Sequence, residues 1–550
     1  MFALKRPRSL ALVAALAACL PLGCRRADAP SSTFVDVERP QLVVSVVLDQ
    51  LGAAVLERWW PALDEDGALK TLAREGAYHH AVRYGYAGTY TAPGHSAIYT
   101  GASPAQSGIG SNKRWDRARK KAVSIADDGV SPIFEHPGAF AGPGVLLAET
   151  VGDVLARATG GEGKVVSVSM KDRGAVLPGG HAATFVAWYD ERAKGFTSSA
   201  AYGAALPTWF ERWRAANPVA ARFGVWTAEK PDECARLAGP DDGIGEGDFD
   251  GYGTTFPHDV RKSRNPYELF LMDPASTELL VDLAGRAAED LDLGRDEIPD
   301  LLAVSISGTD YVGHTFGPNS WESLEHLRRA DRALGKLLRG LRSRARVAML
   351  VTADHGVAPI PERPEVKHGG APGRVDDETL LPPLRAAAER ALGAGKWVDA
   401  FVQPFVYLSE EALAHPRRAE LERALVAELR RTPGVAYAAT VPEAAALAES
   451  AVELERLVAG SATTRQGEIV LFTSEGTIID EKCPRGFGTS HGSPWLYDRT
   501  VPVLVGGPGV SHLESRDELQ QSAVATTLAA LLRVPPPAQA APKPLPGIRP

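Results

Sequence analysis

Three runs of uninterrupted apolar, largely β-branched residues punctuate the chain, and each ends on or just before an aspartate. LVVSVVL (42–48) runs into Asp49, LLAVSIS (301–307) into Gly308-Thr309-Asp310, and VAMLVT (347–352) into Ala353-Asp354-His355. A short continuous apolar run of this kind predicts a strand buried on both faces of a parallel sheet. Between the runs the period changes to that of a helix. Residues 320–342 place Leu324, Leu327, Ala330, Leu334, Leu337 and Leu338 on one stripe, and 148–158 and 276–291 read the same way. Strands alternating with amphipathic helices predict an α/β fold, a central mostly parallel sheet sandwiched by helices. Sites in such sheets form at the carboxyl ends of strands, and three strands delivering Asp to that edge is the pattern of an active site.

The same patterning divides the chain. One catalytic body is expected over 40–533. Within it the periodicity loosens over about 174–267, rich in Gly, Trp and Asp, which reads as an insertion over one sheet edge. A second insertion, about 357–489, holds a helix at 418–431 and a short strand near 435–441, and reads as a smaller α+β subdomain. The tail 534–550 is Pro/Ala-rich and is expected to be disordered. Residues 25–39 are polar and read as a linker. Residues 1–24 read as an export signal, with Lys5, Arg6 and Arg8 ahead of an apolar stretch at 10–18 too short to span a bilayer. Leu16-Ala17-Ala18-Cys19 and Pro21-Leu22-Gly23-Cys24 both resemble a bacterial lipobox. The expected location is the periplasm or a lipid anchor through Cys19 or Cys24; a plain cleaved signal is the alternative.

Composition narrows the function classes. At 44% hydrophobic and 23% charged the chain is an ordinary globular protein. Removing Lys5, Arg6 and Arg8 with the leader takes the formal charge from −8 to about −11, which argues against a protein that coats nucleic acid. It does not argue against a small anionic substrate, because bound metal can reverse the local charge. Cys234 and Cys483 remain in the mature chain, outside any C-x-x-C pair. Whether they pair is left open, and neither reads as a catalytic thiol.

Candidate chemistry gathers at the strand ends and in glycine-rich turns. Asp310 and His314 stand four apart, so one helical turn presents both to one ion. Asp354 and His355 are adjacent and point in different directions, so they either serve different functions or reach one ion from a loop. His491 lies in Gly488-Thr489-Ser490-His491-Gly492. Mixed Asp/His ligation favours zinc. In Thr89-Tyr90-Thr91-Ala92-Pro93-Gly94-His95, Pro93 and Gly94 suggest a turn opening a helix, which brings Thr91 to the helix N-terminus. There a hydroxyl is either a cap or a nucleophile activated by metal. Thr89 and Ser96 compete with it. His95 reads as orienting or packing beneath that turn. No P-loop or G-x-G-x-x-G suitably follows a strand.

These segments resemble the alkaline phosphatase superfamily, in particular the phosphate-irrepressible bacterial alkaline phosphatases related to the nucleotide pyrophosphatase/phosphodiesterases. VVLDQLG, TYTAPGHSAIYTG, GSNKRWDR, MKDRGA, SISGTDYVGHTFGPNS, VTADHGVAPIP and GTSHGSP occur in the family order from Asp49 to His491. The resemblance implies two Zn²⁺ ions, one held by Asp310, His314 and His491, the other by Asp49, Asp354 and His355 with Thr91. It implies that Thr91 is the nucleophile of a phosphothreonine intermediate. Asn112, Lys171 and Arg173 would bind the phosphoryl oxygens. The diesterase branch is expected to lack the Lys-x-Arg pair, so the expected activity is hydrolysis of small phosphate monoesters. The alternative is a phosphodiesterase or nucleotide pyrophosphatase with the same core, and a third reading is a metal- or phosphate-binding protein without turnover. The nucleophile segment has no C/S-x-P-x-R pattern, which disfavours a formylglycine sulfatase.

Overall fold

The computed structural model describes residues 39–480 and 487–549. The export signal at 1–24 with Cys19 and Cys24, the linker as far as residue 38, and Cys483 lie outside the described residues. Among the described residues Cys234 is buried and makes no disulfide.

Nine strands form the main sheet: β1 Leu42–Leu48, β2 Ala77–Arg83, β3 Val165–Ser169, β4 Phe185–Asp190, β5 Gly195–Thr197, β6 Asp300–Ile306, β7 Val347–Thr352, β8 Thr500–Gly506 and β9 Leu513–Gln520. Their order is β9-β2-β8-β7-β1-β6-β3-β4-β5. The central block β7-β1-β6-β3-β4 is parallel throughout, whereas β8 and β5 run antiparallel to their neighbours. The sheet is therefore mixed at its flanks and parallel where the aspartates emerge.

Every residue of β1, β3, β6 and β7 is buried. This is the expected consequence of their apolar runs, since burying each Val or Leu contributes about 1.5–3 kcal/mol. Helices cover the faces: α1 Thr91–Thr100, α2 Asp172–Gly179, α3 Pro274–Asp290, α4 Gly308–Phe316, α5 Trp321–Arg342 and α6 Ala523–Leu531. The leucine stripe of α5 (Leu324, Leu327, Leu334, Leu337, Leu338) joins the main core.

Three expectations change. The segment 174–267 is not all insertion: it begins with most of α2 and then supplies β4 and β5, which extend the main sheet. The remainder carries short helices and a two-stranded ladder at Val225–Trp226 and His258–Asp259. The Pro/Ala-rich tail is ordered through residue 549. Leu545 and Ile548 are buried in the main core, Ser511 N–H donates to Gly547 O and Arg549 N–H to Gly509 O, and Leu545 N–H donates to Thr527 Oγ1. Proline there prevents helix, but two apolar anchors and paired backbone hold the segment in place. Finally, α1 starts at Thr91, so Pro93 and Gly94 lie inside its first turn rather than before it.

Within 357–489 an antiparallel sheet, Val398–Val402, Phe405–Leu408, Ile469–Thr473 and Val435–Thr440 in spatial order, packs with helices Asp377–Leu392 and Arg418–Arg431.

Candidate metal and nucleophile site

Four adjacent parallel strands deliver the site. Asp49 follows β1 and Asp354-His355 follow β7. Asp310 and His314 lie on α4 just after β6, and Lys171 stands between β3 and α2. Asp310 and His314 are one turn apart on α4, with Asp310 Oδ1 3.2 Å from His314 Nε2. Helix α1 lies against this edge so closely that a Cβ at Gly94 would meet Asp354 O at 2.2 Å. Glycine at that position is what lets Thr91 approach the carboxylates.

The three histidines share one orientation. Nδ1 of His314 hydrogen-bonds Thr489 O, Nδ1 of His355 hydrogen-bonds Gly356 O, and Nδ1 of His491 hydrogen-bonds Thr89 O, each at 2.8 Å. A carbonyl accepts, so the Nδ1 proton is fixed and Nε2 keeps the lone pair that a metal takes. The Nε2 atoms turn to the carboxylates: His355 Nε2 is 3.4 Å from Asp49 Oδ1 and 3.5 Å from Asp354 Oδ2, and His491 Nε2 is 3.5 Å from Asp310 Oδ1. Burial, then the neighbouring His355, pushes His491 down to about 3. Burial likewise lowers His355. Both shifts favour the neutral ring, the ligand form.

Lys171 is the buried cation of the site. Its Nζ donates to Asp49 Oδ2 at 2.6 Å and to Asp310 Oδ2 at 2.5 Å, and lies 5.0 Å from the centre of the Tyr311 ring. Burial alone would lower its pKa, but Asp310 and Asp49 outweigh burial and raise it. Asp49 is raised well above the usual carboxylate range by burial, then by Asp310 and Asp354. Asp310 is subject to the same burial, yet Lys171 and His314 hold it well below that range. Three buried carboxylates face one ammonium, an excess of negative charge that a solvent-excluded site does not carry without cations.

The donor set fits such cations. Asp49 Oδ1, Thr91 Oγ1 and His355 Nε2 are buried and make no hydrogen bond among the described residues, which is costly unless a ligand completes them. Ligand atoms of Asp49, Asp354 and His355 lie within 4.8 Å of one another, as do those of Asp310, His355 and His491. The first group is the trio that the resemblance implied. In the second, His355 stands where His314 was expected, and the His355 and His491 rings stack 3.6 Å apart. His314 keeps its place beside Asp310.

Thr91 is the first residue of α1 and is buried. Asn112 accepts from Ala92 N–H at 2.8 Å through Oδ1 and so sits at the same helix N-terminus. Arg173, in the first turn of α2, has an Nε without a hydrogen bond. It lines a cavity of about 200 Å³ with Tyr90, Asn112, Lys113, Val402 and Gln403. The sequence-expected residues thus surround one carboxyl edge. Lys171 lies on Asp49 and Asp310, while Arg173 and Asn112 line the cavity. Of the competing hydroxyls, Thr89 Oγ1 donates to Ser493 O, and Ser96 is buried further along α1.

Sequence reasoning missed Gln50. Its backbone N–H donates to Asp354 Oδ1 at 3.1 Å and its Nε2 to Asp310 Oδ1 at 2.9 Å. No local signal marks it, because its role depends on a left-handed backbone (φ 71°) that a glutamine does not advertise. His95 lies beneath the turn: Nδ1 bonds Thr91 O at 2.8 Å and lies 3.2 Å from Asp354 Oδ2, and Nε2 pairs with Ser305 Oγ at 2.8 Å.

The chain matches the family model of the type I phosphodiesterase / nucleotide pyrophosphatase over residues 43–492. A Myroides odoratus protein named a calcium-transporting ATPase is 31% identical, covering 90% of this chain and 92% of that protein. Alkaline phosphatase PafA of Elizabethkingia meningoseptica is 30% identical, covering 92% and 94% respectively. The crystal structure of wild-type PafA matches with a TM-score of 0.83 at 28% identity, over 93% of this chain and 99% of that one. A PafA variant substituted at a threonine, an asparagine, a lysine and an arginine scores 0.82 at 26% identity. Among the described residues no helix is long and apolar enough to cross a membrane. The chain belongs to the type I phosphodiesterase / nucleotide pyrophosphatase family, as an alkaline phosphatase superfamily hydrolase similar to PafA.

Proposed function

We propose that the protein is a zinc-dependent phosphomonoesterase that works through a phosphothreonine at Thr91. The observation that carries this reading is the Thr91 hydroxyl, buried and without a hydrogen bond at a helix N-terminus, beside converging Asp and His ligand atoms. Asp49, Asp354 and His355 would hold one ion, and Asp310, His314 and His491 the other. Two zinc ions would lower the pKa of the Thr91 hydroxyl and neutralise charge on the attacking and leaving oxygens. Thr91 Oγ1 attacks phosphorus as the ester P–O bond breaks. Water then attacks the phosphothreonine, which releases phosphate and restores the hydroxyl. His95, bonded to Thr91 O, holds the nucleophile's backbone against Asp354.

The basic pair favours a monoester. An ammonium has three donors, and Lys171 uses two of them on Asp49 and Asp310, which leaves one for a phosphoryl oxygen. Arg173 adds a fork for the second nonbridging oxygen of a dianion. In the PafA variant the substituted threonine and asparagine are 21 positions apart and the lysine and arginine two apart. Those separations equal Thr91 to Asn112 and Lys171 to Arg173, which supports assigning these four to the site. A phosphodiesterase is the second reading, favoured by the family model itself. The basic and apolar leader with its lipobox-like cysteines supports export, with a lipid anchor at Cys19 or Cys24.

The test is turnover of matched aryl phosphate monoester and diester by the zinc-loaded protein. Strong monoester preference, lost in Lys171→Ala with Arg173→Ala, is expected. Preference for the diester would move the protein to the phosphodiesterase branch.

A further inference from the structure

We infer that Gln50 is a positioning residue that couples the two cation half-sites, so that the second ion binds as a consequence of the first. The inference rests on the two-metal reading above and concerns how the ligands are held. Gln50 is the residue after Asp49, at the end of the central strand β1. It is buried, at 4% exposure. Its two donors diverge: the backbone N–H holds Asp354 Oδ1, a carboxylate of one half-site, and Nε2 holds Asp310 Oδ1, a carboxylate of the other. Their other oxygens differ: among the described residues that of Asp310 accepts a hydrogen bond and that of Asp354 makes none. Asp354 Oδ2 lies 3.2 Å from His95 Nδ1, and Asp310 Oδ2 accepts from Lys171. Asp310 is thereby held from two sides, and one short side chain links it to Asp354.

Two local choices that work against stability preserve this strut. A non-glycine residue in the left-handed region is unfavourable, and Gln50 has φ 71°. The second choice is Gly313, in the interior of α4 between Asp310 and His314. A Cβ there would come within 1.8 Å of Gln50 Oε1. Glycine weakens a helix interior, and here it makes room for the Gln50 amide. Two sacrifices that converge on one amide mark a functional constraint rather than packing.

The coupling is physical. A cation at Asp310 draws that carboxylate into a fixed position and orders the Gln50 amide, whose backbone N–H then presents Asp354 already aligned. The second ion meets a preorganised ligand and binds with less ordering still to be done. Without the strut, each half-site fills on its own affinity.

The experiment is a zinc titration of chelator-stripped full-length protein, read as bound metal by mass spectrometry at buffered free zinc. The wild type is expected to take up two equivalents in one steep step. Gln50→Gly keeps the left-handed backbone and the N–H but removes the amide, and is expected to split the isotherm into two steps separated by at least tenfold in free zinc. Gly313→Ala expels the amide while leaving Gln50 in place, and is expected to do the same; it decides the matter if Gln50→Gly does not fold. An isotherm for either folded variant that superposes on the wild type overturns the inference while leaving the two-metal reading intact. Wild-type uptake of fewer than two equivalents overturns both.

Discussion

Removing the Lys171 ammonium should destabilise the protein only when the cations are gone. In Lys171→Met the side-chain volume is kept, but Asp49 and Asp310 lose a charge held at 2.6 and 2.5 Å. At an effective dielectric constant of about 20, each contact is worth roughly 6 kcal/mol of gross attraction, most of it offset by the desolvation of the three groups. The net cost of breaking a buried pair from one side is about 3–5 kcal/mol. Asp49 limits that cost, because burial and the neighbouring Asp310 and Asp354 already raise it, and loss of the ammonium shifts it further toward the neutral acid. The expected loss is therefore about 3–4 kcal/mol at pH 7.5 with chelator. With saturating zinc, bound cations replace the missing charge and the loss should fall below about 1 kcal/mol. Denaturant unfolding of wild type and variant, with chelator and with zinc, measures both. An equal loss in the two states would show that Lys171 acts by packing and would refute the electrostatic argument, as would no loss in chelator. Adding Asp49→Asn completes a double-mutant cycle and assigns the coupling to that pair.

Four further outcomes are expected. Thr91→Ala should abolish the phosphoenzyme trapped by acid quench and lower kcat by at least ~10³-fold; undiminished turnover would sink the nucleophile assignment. Chelation should remove activity and lower stability by about 4 kcal/mol for each ion present at a thousandfold its Kd, with zinc restoring both. Arg173→Ala should slow monoester hydrolysis by ~10²-fold or more, as for loss of one charge-stabilising donor, and leave diester hydrolysis less affected; an equal loss on both would remove Arg173 from the specificity argument. Away from the site, burial raises Asp331 to about 7, while Leu69 N–H donates to its Oδ1. A carboxyl whose folded pKa is raised stabilises most when protonated in both states, below about pH 4, and that contribution is lost as pH rises to about 7. Between pH 5 and 8 the wild type should lose roughly 3 kcal/mol relative to Asp331→Asn; parallel stability curves for the two would contradict this.

The site was legible in proportion to how local its signals are. Asp49, Asp310 and Asp354 stand out because buried parallel strands are apolar throughout, so an acid directly after one is conspicuous. His314 follows from helical spacing to Asp310. His491 could be assigned only through family resemblance, because a glycine turn far along the chain gives no direction. The tail misled because proline content reports the absence of helix, whereas order there depends on burial of Leu545 and Ile548. Strand β5 was hidden by its length of 3 residues, and β4 by turn-rich neighbours.

By itself the sequence determined the α/β class, the strands that carry acids to one edge, and a set of candidate ligands and hydroxyls, since hydrophobic period and residue chemistry are local properties. Only the tertiary structure decided how that inventory is wired. It turned the Lys171 ammonium onto Asp49 and Asp310, stacked His355 on His491, anchored three Nδ1 atoms on backbone carbonyls, and set Gln50 between Asp310 and Asp354. Those contacts join residues separated by up to 402 positions, and their geometry is fixed by strand order and helix packing, which no local window of sequence encodes.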